Sequence, residues 1–203
     1  MKNIKKIAVF SFMICTFVTG CSSEKQIEKQ SEQIFENQQT MQNINNEMNV
    51  SFSNLNTFEA KTLNDEIFTQ SDFSDKDVTV INFWSLLCGP CIEEMPDIAE
   101  FSKKLPDNVQ IITVCLDGEY DTEITKQILE ESGFDGTTLL TGDGDFQKIY
   151  SELQYTPTSI FVDKYGNIVG DAIIGGQKNF AESYTKAIND ILKSMGKEAI
   201  SIE

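Results

Sequence analysis

Two cysteines separated by Gly-Pro, Cys88-Gly89-Pro90-Cys91, carry the most reactive chemistry in this 203-residue chain, and Glu94 follows the second of them by three residues. The apolar run Val78–Trp84 leads into Cys88, so the pattern predicts a strand that ends just before the first cysteine and a helix that starts at Gly89 and Pro90. That junction decides what the sulfur can do. Only a thiolate attacks disulfides, and a sulfur at a helix N-terminus faces unpaired backbone N–H groups and the positive end of the dipole, which lowers its pKa. Cys88 is expected to be a nucleophile for this reason. Pro90 sits where a missing N–H costs nothing, and Cys91 lies one turn in, within reach of a small disulfide ring. Glu94 shares a helix face with Cys91, where a buried carboxylate could exchange a proton with the second sulfur.

Other uses of a CxxC fit less well. A zinc site needs two more good ligands, and the chain has no His and, past residue 21, only one further cysteine, Cys115. A static structural bridge explains neither the Gly-Pro insert nor the strand-to-helix junction. Cys115 lies inside the continuous apolar run Val109–Leu116 and reads as a small buried hydrophobe, with a redox-active third thiol as the alternative.

Asn82-Phe83-Trp84, then Cys88-Gly-Pro-Cys91, Glu94 and Pro96, resembles the active site of the thioredoxin superfamily, specifically its membrane-tethered TlpA/ResA-type branch. The resemblance covers Phe58 to Met195. It implies a thioredoxin-like three-layer α/β/α fold with a central mixed sheet, an N-terminal hairpin and an inserted strand and helix. It implies a redox-active Cys88–Cys91 disulfide as the working group, with no cofactor and no metal, and Glu94 as the active-site carboxylate. Thr156-Pro157 stands where the superfamily has a cis peptide opposite the CxxC, whose exposed backbone could pair with a client's extended chain. Trp84 and Gly175 complete the expected client-binding set. Two positions depart from the pattern. Leu87 replaces the usual Trp before the first cysteine and removes an aromatic platform. Asn82 replaces the buried Asp of ordinary thioredoxins and cannot ionise, which leaves Glu94 or water as the buried proton acceptor.

The elements that must position these residues follow in order. Residues 58–63 and 66–68 flank Asn64-Asp65 and read as a hairpin, and residues 71–75 as a helical turn. The helix after Cys88 should run to about Leu105 and kink at Pro96. Asp121 and Thr122 open a helix through Ser132 that stops at Gly133, followed by a strand at residues 138–140 and a helix at 146–153. Residues 159–162 read as a strand, 168–174 as a returning strand ended by Gly175-Gly176, and 177–195 as a last amphipathic helix.

Ahead of this domain, Lys2, Lys5 and Lys6 precede an apolar run from Ile7 to Val18, a secretory signal too short to span a bilayer comfortably. Val18-Thr19-Gly20-Cys21 resembles a bacterial lipobox, which implies cleavage after residue 20 and lipidation of Cys21. Residues 21–53 are polar and read as a tether, with Ile27, Ile34, Met41 and Met48 at heptad spacing, and the folded domain is expected over 54–203. The net charge moves from −16 to −19 once the three lysines of residues 1–20 are gone. Every basic residue is Lys and none clusters, which argues against nucleic-acid binding.

Together these point to a monomeric thiol-disulfide oxidoreductase, lipid-anchored on the extracytoplasmic face of a bacterial membrane. It would reduce exported disulfide-bearing proteins, apocytochromes among them, and draw electrons from a membrane donor of the CcdA or DsbD type. The alternatives are a thiol peroxidase, for which the chain lacks the activating Arg, and a tethered binding lipoprotein whose CxxC is a static bridge.

Overall fold

The computed structural model describes residues 51–202. The expected signal peptide, Cys21 and the heptad positions lie outside the described residues. Seven strands form one mixed sheet: β1 (Glu59–Thr62), β2 (Ile67–Thr69), β3 (Val78–Trp84), β4 (Val109–Cys115), β5 (Thr138–Gly142), β6 (Thr158–Val162) and β7 (Ile173–Ile174). Their spatial order is β2-β1-β5-β4-β3-β6-β7. The centre, β5-β4-β3, is parallel, and β1 and β6 join it antiparallel on either side. Four helices cover it: α1 (Gly89–Ser102), α2 (Thr122–Ser132), α3 (Asp145–Glu152) and α4 (Phe180–Ser194).

β3 is buried along its whole length, because helices on both faces leave no exposed side for polar residues. Val78, Val80 and Trp84 point to one core, which they share with Met95, Ile98 and Phe101 of α1 and Tyr184 and Ile188 of α4. Ile81 and Phe83 point to the other, built from the hairpin and from Phe146 and Ile149 of α3. The hairpin turn is closed at Asp65, whose φ of 64° lies in the left-handed region that Asp tolerates. The Asp121 side chain caps α2 by accepting from the Ile124 N–H, and Gly133 ends it at φ 74°.

Four expectations change. The fold already includes Phe52, which is buried, and Ser53, whose N–H and hydroxyl both donate to Glu152, so the domain takes in residues before 54. α1 ends at Ser102 rather than Leu105, since the residue before Pro106 is disfavoured in helical conformation. The strand expected over 168–174 is interrupted: Ile168 bridges Val162, Gly170 then turns to φ 68°, and pairing resumes only at Ile173–Ile174. The break sits at Gly170, whose left-handed backbone does not continue a strand, and a Cβ there would lie 2.8 Å from the Ile191 side chain of α4. The last helix starts at Phe180 rather than Gln177, because Gln177 spends its amide groups on Glu94 and Gly175.

Candidate active site

Cys88 is the N-cap of α1, with extended backbone at φ −87° and ψ 95°, and Pro90 occupies the first turn. Its sulfur accepts a hydrogen bond from the Cys91 N–H at 3.2 Å, a first-turn donor shared with the Cys88 carbonyl at 3.1 Å. Cys88 and Cys91 form a disulfide with Cα atoms 5.2 Å apart. The two sulfurs differ in access: Cys88 is half-buried at the rim, whereas Cys91 is 1% exposed under the helix. A nucleophile open to solvent with its mate enclosed is the arrangement that stepwise disulfide exchange requires.

Glu94 is buried one turn further along α1. Burial pushes its carboxyl up from the usual 4.5 to about 7, against a hydrogen bond from the Gln177 N–H that favours the charged form; Asp97 adds a smaller upward push. The Gln177 contact is long, 3.4 Å, and the other carboxylate oxygen takes no hydrogen bond among the described residues. A carboxyl poised near 7 can accept and return a proton at neutral pH.

Two loops are tied together beside Pro90. Thr156-Pro157 is a cis peptide, and the Pro157 carbonyl accepts from the Gly175 N–H at 2.8 Å. Thr156 is half-buried and Pro157 buried, while the neighbouring Tyr155 is 56% exposed. Gly175, at φ 80°, has open space where a Cβ would stand, and Gly176 approaches Pro90. On the opposite side, the Asp117 carboxylate accepts from the Leu86 N–H at 2.8 Å and ties the segment before Cys88 to the end of β4. Leu87, next to Cys88 in the chain, is 95% exposed.

One expected contact gives way. Trp84 is 0% exposed, enclosed between the sheet and the α1 core, so its indole packs beneath the disulfide and offers a client no surface. Central strands bury both faces, and its even spacing from Val78 and Val80 carries that information. Asp117 and Gln177 were not anticipated. Asp117 carries a usable signal, since it follows the C-terminal end of a parallel strand, where α/β folds place their sites. Gln177 lies in a loop with no comparable mark. Cys115 sits apart as a free, fully buried thiol, pushed up to about 12 by burial and by Asp117. Burial and the neighbouring carboxylate both disfavour the thiolate that disulfide exchange needs.

Comparison with known proteins agrees with this geometry. A model of the AhpC/TSA family matches residues 53–170. The chain is 30% identical over 118 residues to the thiol-disulfide oxidoreductase ResA of Bacillus thuringiensis, which takes in 58% of this chain and 66% of that protein. It is 27% identical over 92 residues to the sporulation thiol-disulfide oxidoreductase A of Bacillus subtilis, covering 44% of this chain and 55% of the relative. The matched region thus spans less than two thirds of either relative. Among solved structures, StoA from Bacillus subtilis superposes with a TM-score of 0.53 at 22% identity, over 67% of this chain and 99% of StoA. A DsbF homologue from Corynebacterium diphtheriae superposes at 0.56 and 19% identity, over 68% of this chain and 86% of its own. These two likenesses bear on the fold alone. Because the family match covers more than half of its length, the chain belongs to the AhpC/TSA family, and its fold is thioredoxin-like.

Proposed function

We propose that this chain is a thiol-disulfide oxidoreductase that works on the extracytoplasmic face of a bacterial membrane and reduces disulfides of exported proteins. The observation that carries the reading is the asymmetric pair: Cys88 at the rim with a backbone N–H on its sulfur, and Cys91 enclosed beside a carboxyl held near 7. In the reduced protein the Cys88 thiolate attacks one sulfur of a client disulfide, forms a mixed disulfide and releases the client's other thiolate. Glu94 takes the proton from Cys91, whose thiolate then attacks the Cys88 sulfur. The Cys88–Cys91 bond closes, the second client thiolate leaves, and two electrons have passed to the client. The Thr156 backbone and the open Gly175 face dock the client's extended chain, with Leu87 supplying an aliphatic contact in place of an aromatic one.

A reductant outside the cytoplasm needs electrons from a membrane donor, and the CcdA or DsbD type suits that need. A lipid on Cys21 would hold the domain at the membrane; among the described residues no helix is long and apolar enough to cross one. Apocytochromes are fitting clients. Peroxide reduction is the lesser reading within this family, because the chain contains no Arg to activate the thiolate and peroxide.

The test is a Cys91→Ser protein exposed to secreted and membrane proteins of its host. Clients should accumulate as mixed disulfides on Cys88, and wild-type protein should reduce insulin far faster than hydrogen peroxide. An empty trap together with no insulin reduction would sink the reading. The anchor is checked separately: Cys21→Ser should release the protein into the medium.

A further inference from the structure

The short segment that delivers the reactive sulfur has little holding it. Ser85, Leu86 and Leu87 lie between the end of β3 and the cap of α1. Within the segment, the Ser85 carbonyl accepts from the Cys88 N–H at 3.1 Å, a turn that leads into the helix start. Among the described residues, one hydrogen bond reaches the backbone of these three residues from elsewhere in the chain: the Leu86 N–H donates to Asp117 Oδ1 at 2.8 Å. The partly buried Leu86 side chain packs on the core beneath α1 and α4.

Asp117 is itself set firmly. The Leu116 N–H donates to the Trp84 carbonyl at 2.9 Å, which keeps β3 and β4 together up to their ends. The turn that follows is closed by the Gly118 N–H on the Cys115 carbonyl at 3.2 Å and by the Tyr120 N–H on the Asp117 carbonyl at 3.1 Å. It has no slack toward the sheet, since a Cβ on Gly118 would lie 2.9 Å from both Cys115 Cβ and Leu140 Cδ2. The Cys115 sulfur, 3.6 Å away, donates to the same Asp117 oxygen. A carboxylate on a backbone N–H is a strong, short acceptor, so this single contact can fix the segment it holds.

We propose that Asp117 is a positioning residue for disulfide exchange: it braces Leu86 so that the Cys88 sulfur stays on the Cys91 N–H. Leu86 lies two residues before Cys88, inside the Ser85–Cys88 turn, so a displacement of its backbone moves the sulfur relative to the first turn of α1. The Cys91 N–H is shared between that sulfur at 3.2 Å and the Cys88 carbonyl at 3.1 Å, and a small displacement surrenders the donor to the carbonyl. A hydrogen bond to the charged form favours that form, so its loss disfavours the thiolate. As a bare negative charge, Asp117 would act the other way and disfavour the thiolate itself. Brace and charge thus have opposite signs. The inference rests on Cys88 being the nucleophile of the proposed exchange.

The experiment alkylates reduced protein with iodoacetamide at neutral pH and reads the rate at Cys88 by mass spectrometry in wild type, Asp117→Ala and Asp117→Asn. Only molecules whose buried Cys115 stays unmodified are counted, so that the end of β4 is packed in each. Asp117→Ala removes the acceptor and should slow Cys88 by about threefold or more, as its thiolate population falls. Asp117→Asn removes the charge but keeps an acceptor oxygen, and should restore at least the wild-type rate. Insulin reduction should follow the same order. Equal rates in wild type and Asp117→Ala would overturn the inference. Faster alkylation in both variants would overturn it as well, by showing a charge acting on the sulfur, and so would an Asp117→Asn protein as slow as Asp117→Ala. A wild-type protein that reduces no disulfide, but whose Cys88 slows in Asp117→Ala and recovers in Asp117→Asn, would overturn the functional reading and keep the brace.

Discussion

On the face of the sheet covered by α3, the core is a dry stack of rings. Phe58 meets Phe146 edge-on at 4.7 Å and Phe73 at 5.7 Å, and Phe68 closes on Phe73 at 5.5 Å. On the face covered by α1 and α4, equally buried strands carry Asn82, Thr113 and Ser159, with Glu94 and the enclosed Cys91 above them. The first core holds the sheet together, as apolar burial and ring packing do anywhere. The second gives up part of that stabilisation to keep titratable and hydrogen-bonding groups beneath the disulfide. One sheet thus divides its labour between its faces, and the two should respond differently to mutation.

The largest expected effect on stability lies on the dry face. Phe146→Ala, at a fully buried ring, should cost about 3–5 kcal/mol in denaturant unfolding. The reactivity of Cys88 in the molecules that remain folded should stay as in wild type. Loss of thiol reactivity in the folded fraction would mean that the two faces are not independent.

The next lies at Glu94 and has the opposite sign. Its folded pKa, about 7, exceeds its ordinary 4.5, so the folded state binds this proton more tightly. The resulting stability is fully present below pH 4.5 and is lost as pH rises through 7. The loss approaches about 3 kcal/mol, at 1.36 kcal/mol per pKa unit. Glu94→Gln should therefore match wild type in acid and exceed it at pH 8, while insulin reduction falls by about 10²-fold or more. Equal unfolding free energies at pH 8, with unchanged activity, would remove Glu94 from both roles.

The smallest lies at the third thiol. Cys115 shares the face with Cys91 but has burial and Asp117 against ionisation, where Cys88 has a helix N-terminus. In reduced protein at pH 7.5, alkylation should modify Cys88 well before Cys115. Cys115→Ala should cost about 1 kcal/mol of stability and leave insulin reduction unchanged. Rapid labelling of Cys115 would restore it as a candidate redox thiol.

Much of this molecule was legible because its signals are local. The strand from Val78 to Trp84, the helix opening at Gly89, the turn at Asn64-Asp65 and the stop at Gly133 each follow from a few neighbouring residues, and all stand where expected. The returning strand was misread because the left-handed turn at Gly170, next to Ile191 of α4, leaves no mark in the apolar pattern of residues 168–174. Trp84 was misread because an aromatic beside a CxxC can serve a client or a core, and only the helices on both sides of β3 decide which.

By itself the sequence determined the pairing distance of Cys88 and Cys91, the order of the elements and the place of Cys88 at a helix start, since backbone propensity, capping and apolar spacing act over a few residues. Tertiary structure alone decided how deep each side chain lies and what meets it across the sheet. It enclosed Cys91, lifted Glu94 to about 7, put Asp117 on Leu86, and joined Asn82 to Ser159 and Tyr184 across 77 and 25 residues of chain. Burial and long-range pairing set the local dielectric and the hydrogen-bond partners, and these are properties of the packed molecule that no single stretch of residues contains.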